Sequence, residues 1–148
     1  MKLKNNPLAE FAIQQNLETL IPESPNDNSF MEKMAERKPD ALISSAYGKT
    51  MSKAFLDCFC LGNVNIHPSL LPRWRGPSPI ESAILEGDKT TGISLMQMTE
   101  ELDAGPIYEQ QSIKLHGENA KTLSKKLSLL AADMIEGFLP SFFGGTSK

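Results

Sequence analysis

"NVNIHPSLLPRWRG", residues 63–76, decides how this chain is read. An apolar run carries Asn65 and His67 two residues apart and stops at Pro68. It then opens into a loop with Leu70, Leu71, a second proline, two arginines and the only tryptophan. On a strand, alternate side chains share a face, so Val64 and Ile66 face one way and Asn65 and His67 the other. Polar side chains within a strand covered on both faces are costly unless hydrogen-bonded. The cost vanishes where the carboxyl end of the strand overhangs a crevice, the place where open α/β sheets bind ligands. Pro68 keeps His67 extended and so fixes the direction of its imidazole. From spacing alone two readings stand side by side: a pair that acts on a ligand, or two side chains that bond to loop backbone and shape the turn.

The flanks set the fold class. Residues 7–16 open on Pro7 and place Leu8, Phe11 and Ala12 on one side of a helix. "ETLIP" (18–22) reads as a short strand. Ser29, with Glu32 three residues on, reads as the capping box of a helix over 30–38. "DALISSA" (40–46) and "GNVNIH" (62–67) read as buried strands, with a short helical segment over 48–58 between them. A helix follows over 78–87, with Pro79 near its first position and Gly87 as its stop. "TGISLMQM" (91–98) alternates with period two, "TEELDAGP" is a loop, and "IYEQQSIKL" (107–115) is a further strand. The last helix, over 121–139, carries Leu123, Leu127, Leu130, Met134 and Phe138 on one stripe, and the tail from about 141 to 148 is expected to fray. This order predicts an α/β protein with an open, mostly parallel sheet and helices on both faces, in a single domain over 1–148. The chain opens on a helix where such domains open on a central strand.

Composition narrows the partners. Fifteen Lys and Arg against 18 Asp and Glu leave a net charge of −3, which argues against an autonomous nucleic-acid binder. Cys58 and Cys60 are too close for zinc-ligand spacing and have no second pair, so they read as reduced thiols of a cytoplasmic protein. No apolar run reaches the roughly 18 residues of a membrane span. The amino terminus lacks the apolar stretch of a secretory signal. Neither a phosphate-cradling lysine loop nor a dinucleotide-binding glycine motif is present.

A working histidine usually has a carboxylate to orient it or exchange protons with it. Residues 99–106 offer Glu100, Glu101 and Asp103. Asp103, between Leu102 and Ala104, is the strongest of them, while Glu100 and Glu101 read as a solvated face. The other histidine, His116, reads as a surface residue. Ser69 sits in no nucleophile elbow, so Asn, His and Asp point to direct transfer to a substrate amine instead of covalent catalysis.

These residues resemble the folate-dependent formyltransferases. The resemblance runs over about residues 7–140 and is carried by "NIHPSLLPRWRGPSPI" and "GDKTTGISLMQMTEELDAGPI". It implies a Rossmann-related catalytic core and 10-formyltetrahydrofolate as formyl donor, with no metal. Asn65, His67 and Asp103 are implied as the catalytic trio, and Ser69, Leu70, Leu71 and Pro72 as the loop against the folate. The "RWRGPSPI" turn, the "GISLMQM" strand and the closing helix resemble the branch whose acceptor is methionyl-tRNA. Branches acting on glycinamide ribonucleotide or on an amino sugar share part of the pattern. The family's opening strand and its carboxyl-terminal β-barrel have no counterpart here. The resemblance therefore also allows an inactive fragment, or one that works with a partner chain supplying the missing segments. Arg73, Trp74 and Arg75 receive no role from it: they could contact an acidic acceptor or simply pack the loop.

Overall fold

A computed structural model describes residues 7–145. Helix α1 (Pro7–Gln14) and α2 (Asn28–Arg37) precede β1 (Leu42–Ser45). The short α3 (Lys53–Leu56) links it to β2 (Asn63–His67). Helix α4 (Pro79–Leu85), β3 (Thr90–Met96), β4 (Ile107–Lys114) and α5 (Ala120–Phe143) complete the chain. The four strands lie in the order β1-β2-β3-β4. β1 and β2 pair in parallel, while β2–β3 and β3–β4 pair antiparallel. Three of the four strands therefore run the same way and β3 alone runs against them. The α/β class holds, with the parallel ladder confined to β1–β2.

Alternation along the strands divides the core. Val64, Ile93 and Leu95 are buried on one face, against Leu123, Leu127, Met134, Phe138 and Phe142 of α5 and the flank of α4. On the other side, Leu42 and Met98 pack with Met34 of α2 and with Met51, Phe55, Leu56 and Phe59 around α3. Each of these fully buried side chains contributes about 1.5–3 kcal/mol by leaving water. α5 starts at a capping box in which Asn119 accepts from the Thr122 amide and Thr122 accepts from the Asn119 amide. It runs past Pro140 to Phe143, because Phe142 stays buried and its ring meets Phe138 and Tyr108 at 5.5 and 6.0 Å. Residues 146–148 of the expected tail lie outside the described residues.

Two local expectations are corrected. Residues 18–22 form no strand. A strand needs a neighbour, and among the described residues the outer edge of β1 pairs with nothing. The α2 helix begins one residue before Ser29, with Asp27 in the extended N-cap position. No side chain caps it, since the Asp27 carboxylate turns back to accept from the Ser24 amide at 3.2 Å.

Candidate functional site

His67 is the last residue of β2, paired with Ser94 of β3, and Asn65 lies opposite Met96. The imidazole is 5% exposed. Its Nε2 lies 2.9 Å from the carbonyl oxygen of Trp74 and its Nδ1 lies 3.6 Å from Oδ2 of Asp103. Both ring nitrogens thus face oxygen. A carbonyl only accepts, so Nε2 is the nitrogen that carries a proton, and Nδ1 is the nitrogen turned toward Asp103. Asp103 also accepts from the Gly76 amide, 2.9 Å from the same oxygen. The Asn65 side chain is half-buried, and its amide makes no hydrogen bond among the described residues. Of the two readings of this pair, His67 bonds to loop backbone through Nε2, while Nδ1 faces the Asp103 carboxylate beyond hydrogen-bond distance. Asn65 bonds to neither.

The turn after β2 explains how the sequence holds His67. Ser94, fully buried on β3, donates to the Ser69 carbonyl at 2.6 Å and accepts from the Leu71 amide at 3.1 Å. Gln110 of β4 donates to the Leu71 carbonyl at 2.9 Å and to the Ser94 hydroxyl at 2.8 Å. Ser69 donates its hydroxyl to the Arg73 carbonyl at 2.6 Å. Leu70 packs onto Gly92, where an added Cβ would stand 2.7 Å from its Cδ2. The S-L-L-P loop is therefore a frame. Ser69 and Leu71 are buried and their polar groups pair within the fold. Pro72 is exposed and Leu70 half-buried.

Arg73, Trp74 and Arg75 fall apart into two roles. Arg73 forms a two-pronged pair with Asp88, at 3.0 and 2.7 Å, and its guanidinium lies 4.2 Å above the Trp74 ring. The Trp74 indole N–H donates to the same Asp88 at 2.7 Å. The Arg73 hydrogen bonds, then the Trp74 one, hold the Asp88 carboxyl below the usual range. Arg75 points toward Glu101 at 3.9 Å. His116 is exposed, as expected.

Sequence reasoning missed Ser94, Gln110, Asp88 and the Trp74 carbonyl. Ser94 had a signal, a polar residue at an alternate, inward position of an apolar strand. The carbonyl had none. A cavity of about 750 Å³, lined by Lys53, Phe59, Cys60, Asn63, Met98 and Glu100 among others, lies at the amino end of β2, away from His67 and Asp103. It contains none of the expected trio.

The α/β sheet thus carries, toward the carboxyl end of β2, an amide side chain and a histidine that faces a carboxylate. The family model described as formyl transferase matches residues 2–135, and the chain belongs to that family. It is 42% identical over 135 residues to a methionyl-tRNA formyltransferase of a Wolbachia strain from Drosophila simulans, covering 90% of this chain and 45% of that one. It is 36% identical over 143 residues to the enzyme of that name from Staphylococcus aureus, covering 96% and 46%. The chain thus spans less than half the length of these curated relatives. Among solved structures, glycinamide ribonucleotide transformylase 1 of Symbiobacterium toebii superposes with a TM-score of 0.70 at 26% identity, over 83% of this chain and 62% of that one. Phosphoribosylglycinamide formyltransferase of Campylobacter jejuni shares the fold with a TM-score of 0.77 at 22% identity, over 95% and 76%.

Proposed function

We propose that the chain transfers a formyl group from 10-formyltetrahydrofolate to the amino group of methionyl-tRNA, with Asn65, His67 and Asp103 as the reacting trio. The supporting observation is the bracketed His67, with Asp103 on one nitrogen and the unoccupied Asn65 amide two residues away on the same face of β2. The amine nitrogen attacks the formyl carbon and a C–N bond forms. Negative charge gathers on the formyl oxygen, where the Asn65 amide donates to it and the positive charge of the protonated His67 ring offsets it. Asp103 steadies that protonated ring and takes the amine proton, which passes to N10 of the folate as the C–N10 bond breaks. The identity to the tRNA-directed enzymes, above that to the glycinamide ribonucleotide enzymes, favours methionyl-tRNA as acceptor.

A second reading rests on a different observation. No residue of α1 is buried, Leu8, Phe11, Ile13 and Ile21 are exposed, and among the described residues the outer edge of β1 is unpaired. Such a surface suits a chain that works only with further polypeptide packed there.

The test titrates the chain with a stable 10-formyltetrahydrofolate analogue, following the single tryptophan, and then assays single-turnover formylation of methionyl-tRNA by mass spectrometry. Saturable binding, with transfer lowered about a hundredfold in Asn65→Ala and abolished in His67→Ala, is the expected result. A folded chain with neither binding nor transfer refutes the first reading for the chain alone and leaves the second.

A further inference from the structure

The geometry points to Asp88 as a positioning residue for His67, acting through the backbone of Trp74. Asp88 lies just beyond α4, and its side chain is 14% exposed. Its carboxylate receives three N–H groups from two adjacent residues: two from Arg73 and one from the Trp74 indole. Arg73 stacked over the same indole closes the cluster. Trp74 sits at φ +61°, a region that a bulky residue rarely adopts unless its surroundings hold it there. The cluster supplies that hold. The result is a carbonyl aimed outward from the turn and into the site, where it receives Nε2–H of His67.

The consequence is chemical. With the Trp74 carbonyl in place, a neutral His67 keeps its proton on Nε2 and leaves Nδ1 to face Asp103. Without it, the ring is free to take the other tautomer or to rotate, and the nitrogen facing Asp103 is no longer fixed. Asp88 touches no reacting atom in this scheme. It sets which nitrogen works.

The importance of this for transfer rests on the reading of His67 given above, but its test does not. The whole chain is labelled with 15N-histidine, and the imidazole nitrogens of His67 are read by NMR without any substrate. Exposed His116, the only other histidine, is the internal reference. In the parent, His67 shows the Nε2–H tautomer with a slowly exchanging proton. In Asp88→Ala, the signal moves toward a mixture of tautomers and Nε2–H exchange rises about tenfold, the factor expected when one ordinary hydrogen bond is lost, while His116 does not change. Trp74→Phe removes only the indole donor and keeps the Arg73–Asp88 pair, so it gives a smaller change in the same direction. It also serves as the reading if Asp88→Ala does not fold. A merely structural Asp88 would lower the melting temperature and leave the tautomer alone. An unchanged His67 signal in a folded Asp88→Ala, or failing that in Trp74→Phe, overturns the inference.

Discussion

Replacing Ser94 by alanine removes one oxygen and, with it, the link between the β3–β4 ladder and the turn that carries the site. Ser94 is fully buried, as is Ser69, and Leu71 is 6% exposed. The substitution leaves the Ser69 carbonyl and the Leu71 amide without the hydroxyl that pairs both of them. Gln110 keeps its bond to the Leu71 carbonyl, so its loss adds little. Each orphaned buried group costs about 1–3 kcal/mol, for a sum of about 2–6 kcal/mol against a total stability of about 5–15 kcal/mol. For a chain of this length that lowers the melting temperature by about 5–20 °C. In urea, at a slope of about 2 kcal/mol per molar, the midpoint falls by about 1–3 M while the slope stays constant. Ser128→Ala is the control, since that exposed hydroxyl bonds only to the Lys125 carbonyl of its own helix. It should stay within about 0.5 kcal/mol of the parent. A Ser94→Ala midpoint indistinguishable from that of Ser128→Ala would refute the claim that the turn is pinned through this hydroxyl.

Two more outcomes follow from named contacts. At Gly92, an added Cβ would stand 2.1 Å from the Gln111 carbonyl oxygen and 2.7 Å from Leu70 Cδ2, so Gly92→Ala forces β3 off β4 and should yield little folded protein by circular dichroism; near-parental folding would contradict the register. Glu118 has its carboxyl lowered from 4.5 to about 2, first by its hydrogen bond from Lys126 and next by the His116 amide. A depressed acid stabilises the fold fully above its ordinary value and loses that contribution as pH falls from 4.5 toward 2. The stability gap between the parent and Glu118→Gln, followed by urea unfolding at several pH values, should therefore be widest near neutrality, narrow below pH 4.5 and close only as the pH approaches 2; a gap that stays flat with pH refutes the assignment.

The parts of the fold that sequence could reveal were those with a periodic signal. The α5 stripe, the polar alternation of 63–67 and the period-two run of β3 each repeat a spacing that only one element satisfies. Asn65, His67 and Asp103 were legible because polar residues in apolar surroundings need a reason. Residues 18–22 misled because their composition suits a strand while pairing depends on a neighbour that composition does not reveal. The α5 helix outran its expected end because burying Phe142 outweighs the backbone bond that Pro140 gives up. What holds the S-L-L-P loop was not legible in the loop itself, because its partners, Ser94 and Gln110, stand on strands more than 20 residues further on. The Trp74 carbonyl lay beyond any reading of side chains, because a backbone group carries no residue identity.

The reversal of β3 carries the chain away from His67, and the loop after it brings Asp103 back. Because β3 runs against β2, it ends beside Asn65, and the residues after Met96 begin two strand positions short of His67. At about 3.3 Å per residue that is a gap of about 7 Å, which the loop over 97–106 must climb. It does so within a closed base, where the Gln97 amide donates to the Pro106 carbonyl at 2.8 Å. Gly105 passes so near that a Cβ there would stand 2.0 Å from the Gln97 carbonyl oxygen. At its crest Asp103 turns to φ +49° and is caught by the Gly76 amide. The two side chains thus have different mechanical origins. His67 is fixed by a core strand, and Asp103 by a loop tied to the turn that follows that strand. The 3.6 Å between them is longer than a hydrogen bond, so the Gly76 amide, and not His67, is the partner that holds the Asp103 carboxylate.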